Sequence, residues 1–220
     1  MRRTTAGAVL AVGIGITLAA CSSSTEARAE QSPSTSAAAA STARPRIDPF
    51  VGMEEVPSFT LTSEDVADGA EIPAEQRSGI FGVPDGQDVS PELSWSGFPE
   101  GTQSFVVTVF DGDAVTGSGF WHWAVKDIPA STTSLPSGAG SAGGSDLPAG
   151  AVELPGDAGA GQYIGAAPPQ GDVPHHYFVT VWALDIPSVD VPDDASVALL
   201  SNAIQPHVLA RATMVPVAQG

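Results

Sequence analysis

Three short stretches of this 220-residue chain carry side chains able to do chemistry. Asp111-Gly112-Asp113 closes the apolar run 105–110, so two carboxylates emerge at the end of a strand, on opposite sides if the strand persists and together if it turns. The same pair is also what an Asx-turn needs to end a strand. Further on, Phe120-Trp121-His122-Trp123 alternates, which predicts Trp121 and Trp123 on one face and Phe120 with His122 on the other. A histidine among aromatics is either a satisfied core residue or, near carboxylates, an imidazole of tuned proton affinity that can hold an anion. The third stretch runs from Tyr163 through Gly165, Pro168-Pro169 and Gly171 to His175-His176-Tyr177. Its prolines stiffen the loop, and its glycines let backbone N–H groups approach a ligand as anion-binding nests do. The plainer alternative is a rigid hairpin connection.

The same residues fit a second chemistry. Asp111, Asp113, His122 and His175 have the donor types of a divalent-metal site with an activated water. Cysteine takes no part, since Cys21 is the only one, which excludes an intrachain disulfide and a cysteine-based zinc site. No cofactor motif is present. Eight Lys+Arg against 25 Asp+Glu give a net charge of −17, which repels phosphate backbones and excludes nucleic-acid binding as a main role.

These groups must be held by strands. Apolar or alternating runs at 58–62, 92–95, 104–110, 119–128, 176–186 and 209–217 are each bounded by Gly, Pro, Asp or Ser. Glycine (24) and proline (19) interrupt the chain too often for a helical bundle. A single helix is expected over 194–204, capped by Asp194 or Ser196, striped by Val197, Leu200, Ala203 and Ile204, and ended before Pro206. The Gly- and Ala-rich stretch 137–161 has no sustained period and reads as a long loop. The expected fold is an all-β antiparallel sandwich with Greek-key connections and one short peripheral helix near the C-terminus.

The first 46 residues read differently. Arg2 and Arg3 precede an apolar stretch, 6–20, too short to span a hydrocarbon core and of signal-peptide dimensions. Leu18-Ala19-Ala20-Cys21 resembles the lipobox of bacterial lipoproteins, which predicts a leader over 1–20 and a diacylglyceryl group on Cys21. Two or more acyl chains anchor a protein stably. Residues 21–46 then form a Ser/Thr/Ala/Pro tether with too little apolar surface to order. The remaining 47–220 hold three basic and 23 acidic residues, so the acidity belongs to the folded part. The expected location is the cell envelope, outside the cytoplasm and anchored to a membrane.

Read together, the motifs carry a family resemblance. Ser90-Pro91-Glu92-Leu93-Ser94-Trp95, Asp111-Gly112-Asp113-Ala114, Gly119 to Trp123, Leu147-Pro148-Ala149-Gly150-Ala151, the 163–171 segment and His175-His176-Tyr177 through Asp185 resemble the successive signatures of the phosphatidylethanolamine-binding protein family, in its bacterial Raf-kinase-inhibitor-like branch. The resemblance covers residues 57–217 and rests on several independent motifs. It implies a Greek-key β-sandwich without enzymatic activity or cofactor, with a small cavity for phosphate, acetate or a phospholipid head group. That pocket would comprise Asp111, Asp113, His122, Tyr163, Gly165, Pro168, Pro169, His175 and Tyr177. The chain departs from the pattern where Gly112 and Val115 replace prolines, where Ala166 and Ala167 interrupt the proline loop, and where His176 stands for an arginine. A looser pocket lacking one electrostatic tie is expected. Relatives that inhibit kinases or a peptidase suggest an envelope protein as an alternative partner, contacted through 137–161.

Overall fold

The computed structural model describes residues 46–143 and 146–220. The leader, Cys21 and the tether up to residue 45 lie outside the described residues.

Nine strands and one α-helix make two antiparallel sheets. A three-stranded sheet joins β1 (Thr60–Thr62), β2 (Leu93–Ser96) and β5 (Ser134–Leu135) in that order. The larger sheet runs β6 (Val152–Glu153), β4 (Phe120–Pro129), β3 (Ser104–Asp111), β7 (His175–Leu184) and β8 (Val208–Met214), with β9 (Val217–Ala218) paired to the start of β7. Within it β7 returns to lie beside β3 after β4 and β6 have formed, which is Greek-key order. The helix α1 (Val197–Ile204) starts at Ser196, whose hydroxyl accepts the Leu199 N–H, and ends where the Gln205–His207 turn takes over. The all-β sandwich with one short helix is therefore the architecture observed.

Every residue of β3 is buried, because Ser-Phe-Val-Val-Thr-Val-Phe-Asp is covered on both faces. Phe105, Val107 and Val109 meet Leu93 and Trp95 of the small sheet, with Tyr177, Val179 and Val181 of β7 on the same side. On the opposite face Val106, Trp182 and Leu184 pack under Val197, Leu200 and Ile204 of α1. Two apolar layers thus hold β3 and β7 rigidly, and the cavity described below opens at one end of that pair.

Three expectations need correcting. The 137–161 stretch is not all loop, since Val152–Glu153 pairs with Val125 and Lys126 of β4. The 209–217 run is two strands, because Pro216 cannot donate to a ladder, and β9 pairs with His175 and His176 instead. The third concerns β4. Val109 opposes Trp123 while Phe110 opposes Trp121, so His122 is the extra residue of a β-bulge. Trp121 consequently packs with the helix-side layer and Trp123 with the inter-sheet core, rather than sharing a face.

Candidate functional site

Asp111 ends β3, and the chain turns at once. Its Oδ1 accepts the N–H groups of Asp113 (2.8 Å) and Ala114 (3.1 Å), which is the Asx-turn. Its Oδ2 faces the other way and accepts from Nδ1 of His175 at 2.7 Å. One carboxylate therefore both caps the turn and orients an imidazole. Asp113 points elsewhere, accepting the His176 N–H and Nδ1–H at 2.8 Å each. His176 thus supplies the tie expected to be missing where the arginine is replaced. Gly112 permits the turn, since a Cβ there would lie 2.3 Å from the Ile47 carbonyl oxygen. A close approach by the N-terminal segment stands where the family pattern has a proline, sealed by Ile47 N–H donating to Gly112 O at 2.8 Å.

His122, 4% exposed, is placed by the bulge. Its Nδ1 lies 2.8 Å from the Ile164 carbonyl oxygen, which can only accept, so Nδ1 carries a proton. Burial holds its pKa below the ordinary histidine value, and the ring is the neutral tautomer with Nε2 as an acceptor. His175, 2% exposed, differs in its partners. Burial works against its charge, but the Asp111 carboxylate, with Asp172 3.4 Å from Nε2 and Asp113 beyond, outweighs burial and holds the pKa above the ordinary value. Of the two rings His175 is the one that holds a second proton more readily.

Tyr177, opposite Asp111 in register, stands 5.2 Å from His122 ring to ring. Its hydroxyl is buried and makes no geometrically sound hydrogen bond among the described residues. Burial and the nearby Asp111 charge push its pKa up, so it remains a donor.

Asp111, His122, His175, Tyr177 and Pro169 line one cavity of about 200 Å³, rimmed by Phe81, Val115 and Phe120. The floor is polar and the mouth apolar. Four other expected site residues are placed differently. Tyr163 is buried between Trp123 and the Gln76 carbonyl, to which its hydroxyl donates at 2.9 Å. Gly165 presents its N–H to the Asp88 carboxylate at 2.8 Å, and a Cβ there would sit 2.3 Å from the Arg77 carbonyl carbon. The close approach is to the chain itself. Pro168 borders a neighbouring concavity with Arg77, and Asp113 braces the wall from behind. Among the described residues no group of three or more His, Cys, Asp or Glu is placed to hold a metal ion, and Asp113 in particular turns away from His122.

Phe81 and Asp172 went unnoticed in the sequence, and Phe120 was placed on the face of His122 but not counted among the site residues. Asp172 precedes His175 by three residues, a spacing that could have suggested the pair. Phe81 carries no local signal. It reaches the mouth because Asp88, at φ +53°, accepts the Ile80 N–H at 2.9 Å while holding Gly165.

Comparison with known proteins identifies the family and the fold. A family model described as phosphatidylethanolamine-binding protein matches residues 62–218. The Escherichia coli protein YbcL is 44% identical over 160 residues, 73% of this chain and 87% of YbcL. YbhB of the same organism is 45% identical over 154 residues, 70% of this chain and 96% of YbhB. The crystal structure of YbcL, described as a new member of the mammalian family, superposes with a TM-score of 0.71 over 74% of this chain and 99% of that one. A Chlamydia trachomatis homologue, 24% identical with a TM-score of 0.62, shares the fold.

Proposed function

The chain belongs to the phosphatidylethanolamine-binding protein family, whose members are generally binding proteins, and from that premise we propose a lipid-tethered envelope protein whose strand-end cavity binds a small anionic or phosphorylated ligand. The observation that carries this reading is the Tyr177 hydroxyl, a buried donor that approaches Asp111 without a well-formed hydrogen bond, on the wall of a cavity that also contains a carboxylate-paired imidazole of raised proton affinity. An unpaired buried donor costs about 1–3 kcal/mol. A ligand oxygen relieves that cost.

The Asp111 charge is neutralised where it stands, by two backbone N–H groups and His175, so it does not bar an anion. Tyr177 O–H supplies a donor, His175 Nε2–H, 3.4 Å from Asp172 Oδ2, is shared between that carboxylate and the ligand, and His122 Nε2 accepts from a ligand hydroxyl or protonated amine. Surface carboxylates beyond about 8–10 Å are screened by salt.

Because the imidazolium supplies attraction, affinity is full below the His175 pKa and is lost as pH rises through it, above the ordinary ~6.5. Calorimetric titration of O-phosphorylethanolamine between about pH 6 and about pH 9 should show this decline, and His175→Ala should lose most of the binding and its pH dependence. Equal affinity across that range, or a variant that binds as wild type, would sink the assignment.

Anchoring has a separate test. If Cys21 carries the lipid, Cys21→Ala leaves the membrane fraction once the leader is removed; retention there would refute the lipobox reading.

A further inference from the structure

A second concavity, of about 330 Å³, lies on the helix-side face of the large sheet and shares no lining residue with the strand-end cavity. Trp182 forms one wall, Met53 and Val56 of the N-terminal segment another, and Pro206 and Val208 a third. Arg211 of β8, directly opposite Trp182 in the ladder, stands among them.

Arg211 differs from Lys126 and Arg77 in its partners. Lys126 Nζ lies 3.0 Å from Asp127 and 3.1 Å from Asp193, and Arg77 Nη1 lies 3.8 Å from Glu71. Arg211 has no carboxylate within 4.0 Å among the described residues. Its guanidinium is stacked instead, 4.3 Å from the centroid of Phe50 and 5.9 Å from that of Trp182, and Trp182 is pinned by its Nε1–H donating to Thr108 Oγ1 at 3.0 Å. The only hydrogen bond its guanidinium makes among the described residues goes to the Glu54 carbonyl at 3.4 Å, the outer limit for one. A guanidinium has five N–H donors in a fixed fork. In a chain with 25 acidic residues, an aromatic-stacked fork without a counter-ion, facing a cavity with both polar and apolar walls, is an unfilled anion anchor.

We propose that this concavity is a second ligand site, which takes a small monocarboxylate with an apolar aliphatic or aromatic body. The planar fork matches a carboxylate bidentately. A single cation beside the acidic Glu54 favours one negative charge over two, and the walls suit a hydrocarbon body. The volume falls at the lower end of small-molecule sites, about 300–1000 Å³. The reading is independent of the strand-end cavity.

The test is titration of the full chain with phenylacetate, with phenylacetamide as the uncharged isostere. Phenylacetate should bind at least about tenfold more tightly than the amide, roughly what loss of one charge-assisted pair removes. Excess O-phosphorylethanolamine should not displace it. Arg211→Gln should lose that discrimination; since the stacking on Phe50 and Trp182 is lost too, a second variant guards against misfolding. Gln205→Trp adds bulk at an exposed lining position and should abolish phenylacetate binding while leaving the melting temperature and O-phosphorylethanolamine binding unchanged. Equal binding of acid and amide, undiminished binding by either variant, displacement by O-phosphorylethanolamine, or no binding at all overturns the proposal.

Discussion

The two histidines of the strand-end cavity sit on neighbouring walls, both nearly closed to solvent, and their proton affinities are pushed in opposite directions. On the β4 wall His122 meets a neutral carbonyl, and burial wins; on the β7 wall His175 meets carboxylates, and they win. Both rings are nearly closed to solvent, but His122 is packed more deeply than His175 and also lacks a carboxylate at Nδ1, so burial and the partner of Nδ1 together set the contrast. The pairing gives the cavity one fixed donor ring and one fixed acceptor ring without any change in fold.

The contrast also sets opposite slopes of stability with pH. His175 has a folded pKa above its unfolded value, so its contribution is present below about 6.5 and is lost as pH rises through the folded pKa. His122 has a folded pKa below its unfolded value. Its contribution is therefore full above about 6.5 and is lost as pH falls below that, because the unfolded chain takes up a proton that the folded one refuses.

The most severe way to break the contrast is Asp111→Asn, which leaves His175 buried without its carboxylate and weakens the turn. Removing one partner of a buried pair costs roughly 3–5 kcal/mol. Urea unfolding should show a loss of that order, and the alkaline fall in stability should disappear. A loss below about 1 kcal/mol would mean that His175 is neutral in the folded state.

A smaller effect is expected at His122→Phe, which keeps an aromatic ring but orphans the Ile164 carbonyl at a cost of about 1–3 kcal/mol. Here the acid-side slope between about pH 6.5 and about pH 5 should flatten while the alkaline side is untouched. An unchanged acid slope would show that His122 does not stay neutral.

Tyr177→Phe should cost no stability and raise it by up to about 1–3 kcal/mol, since it removes a buried hydroxyl that lacks a well-formed hydrogen bond. Its effect should appear in calorimetry instead, as at least about tenfold weaker O-phosphorylethanolamine binding. A clear destabilisation with unchanged binding would make Tyr177 a core residue and leave the cavity without its donor.

Much of the frame was legible in the sequence because its causes are local. An uninterrupted β-branched and aromatic run can only be a strand covered on both faces, as β3 is, and the Ser196 cap with its apolar stripe placed α1 nearly to the residue. The Asp-Gly-Asp turn, the bounding prolines and the succession of motifs in 90–185 likewise concern residues close in the chain. What needed the tertiary structure depends on partners far apart. His175 owes its charge to Asp111, 64 positions away, and Gly165 gives its N–H to Asp88, 77 positions away, and not to a ligand. Strict period-two alternation misassigned Trp121 because a bulge is a mismatch between two strands, a property that neither strand possesses alone. Arg211 looked like any surface cation until the ladder set it opposite Trp182 and the N-terminal segment brought Phe50 over it. Composition determined how few cations there are; only the packing decided that Arg211 stands without a carboxylate while Lys126 and Arg77 have one, because pairing is a matter of distance in space and not of position along the chain.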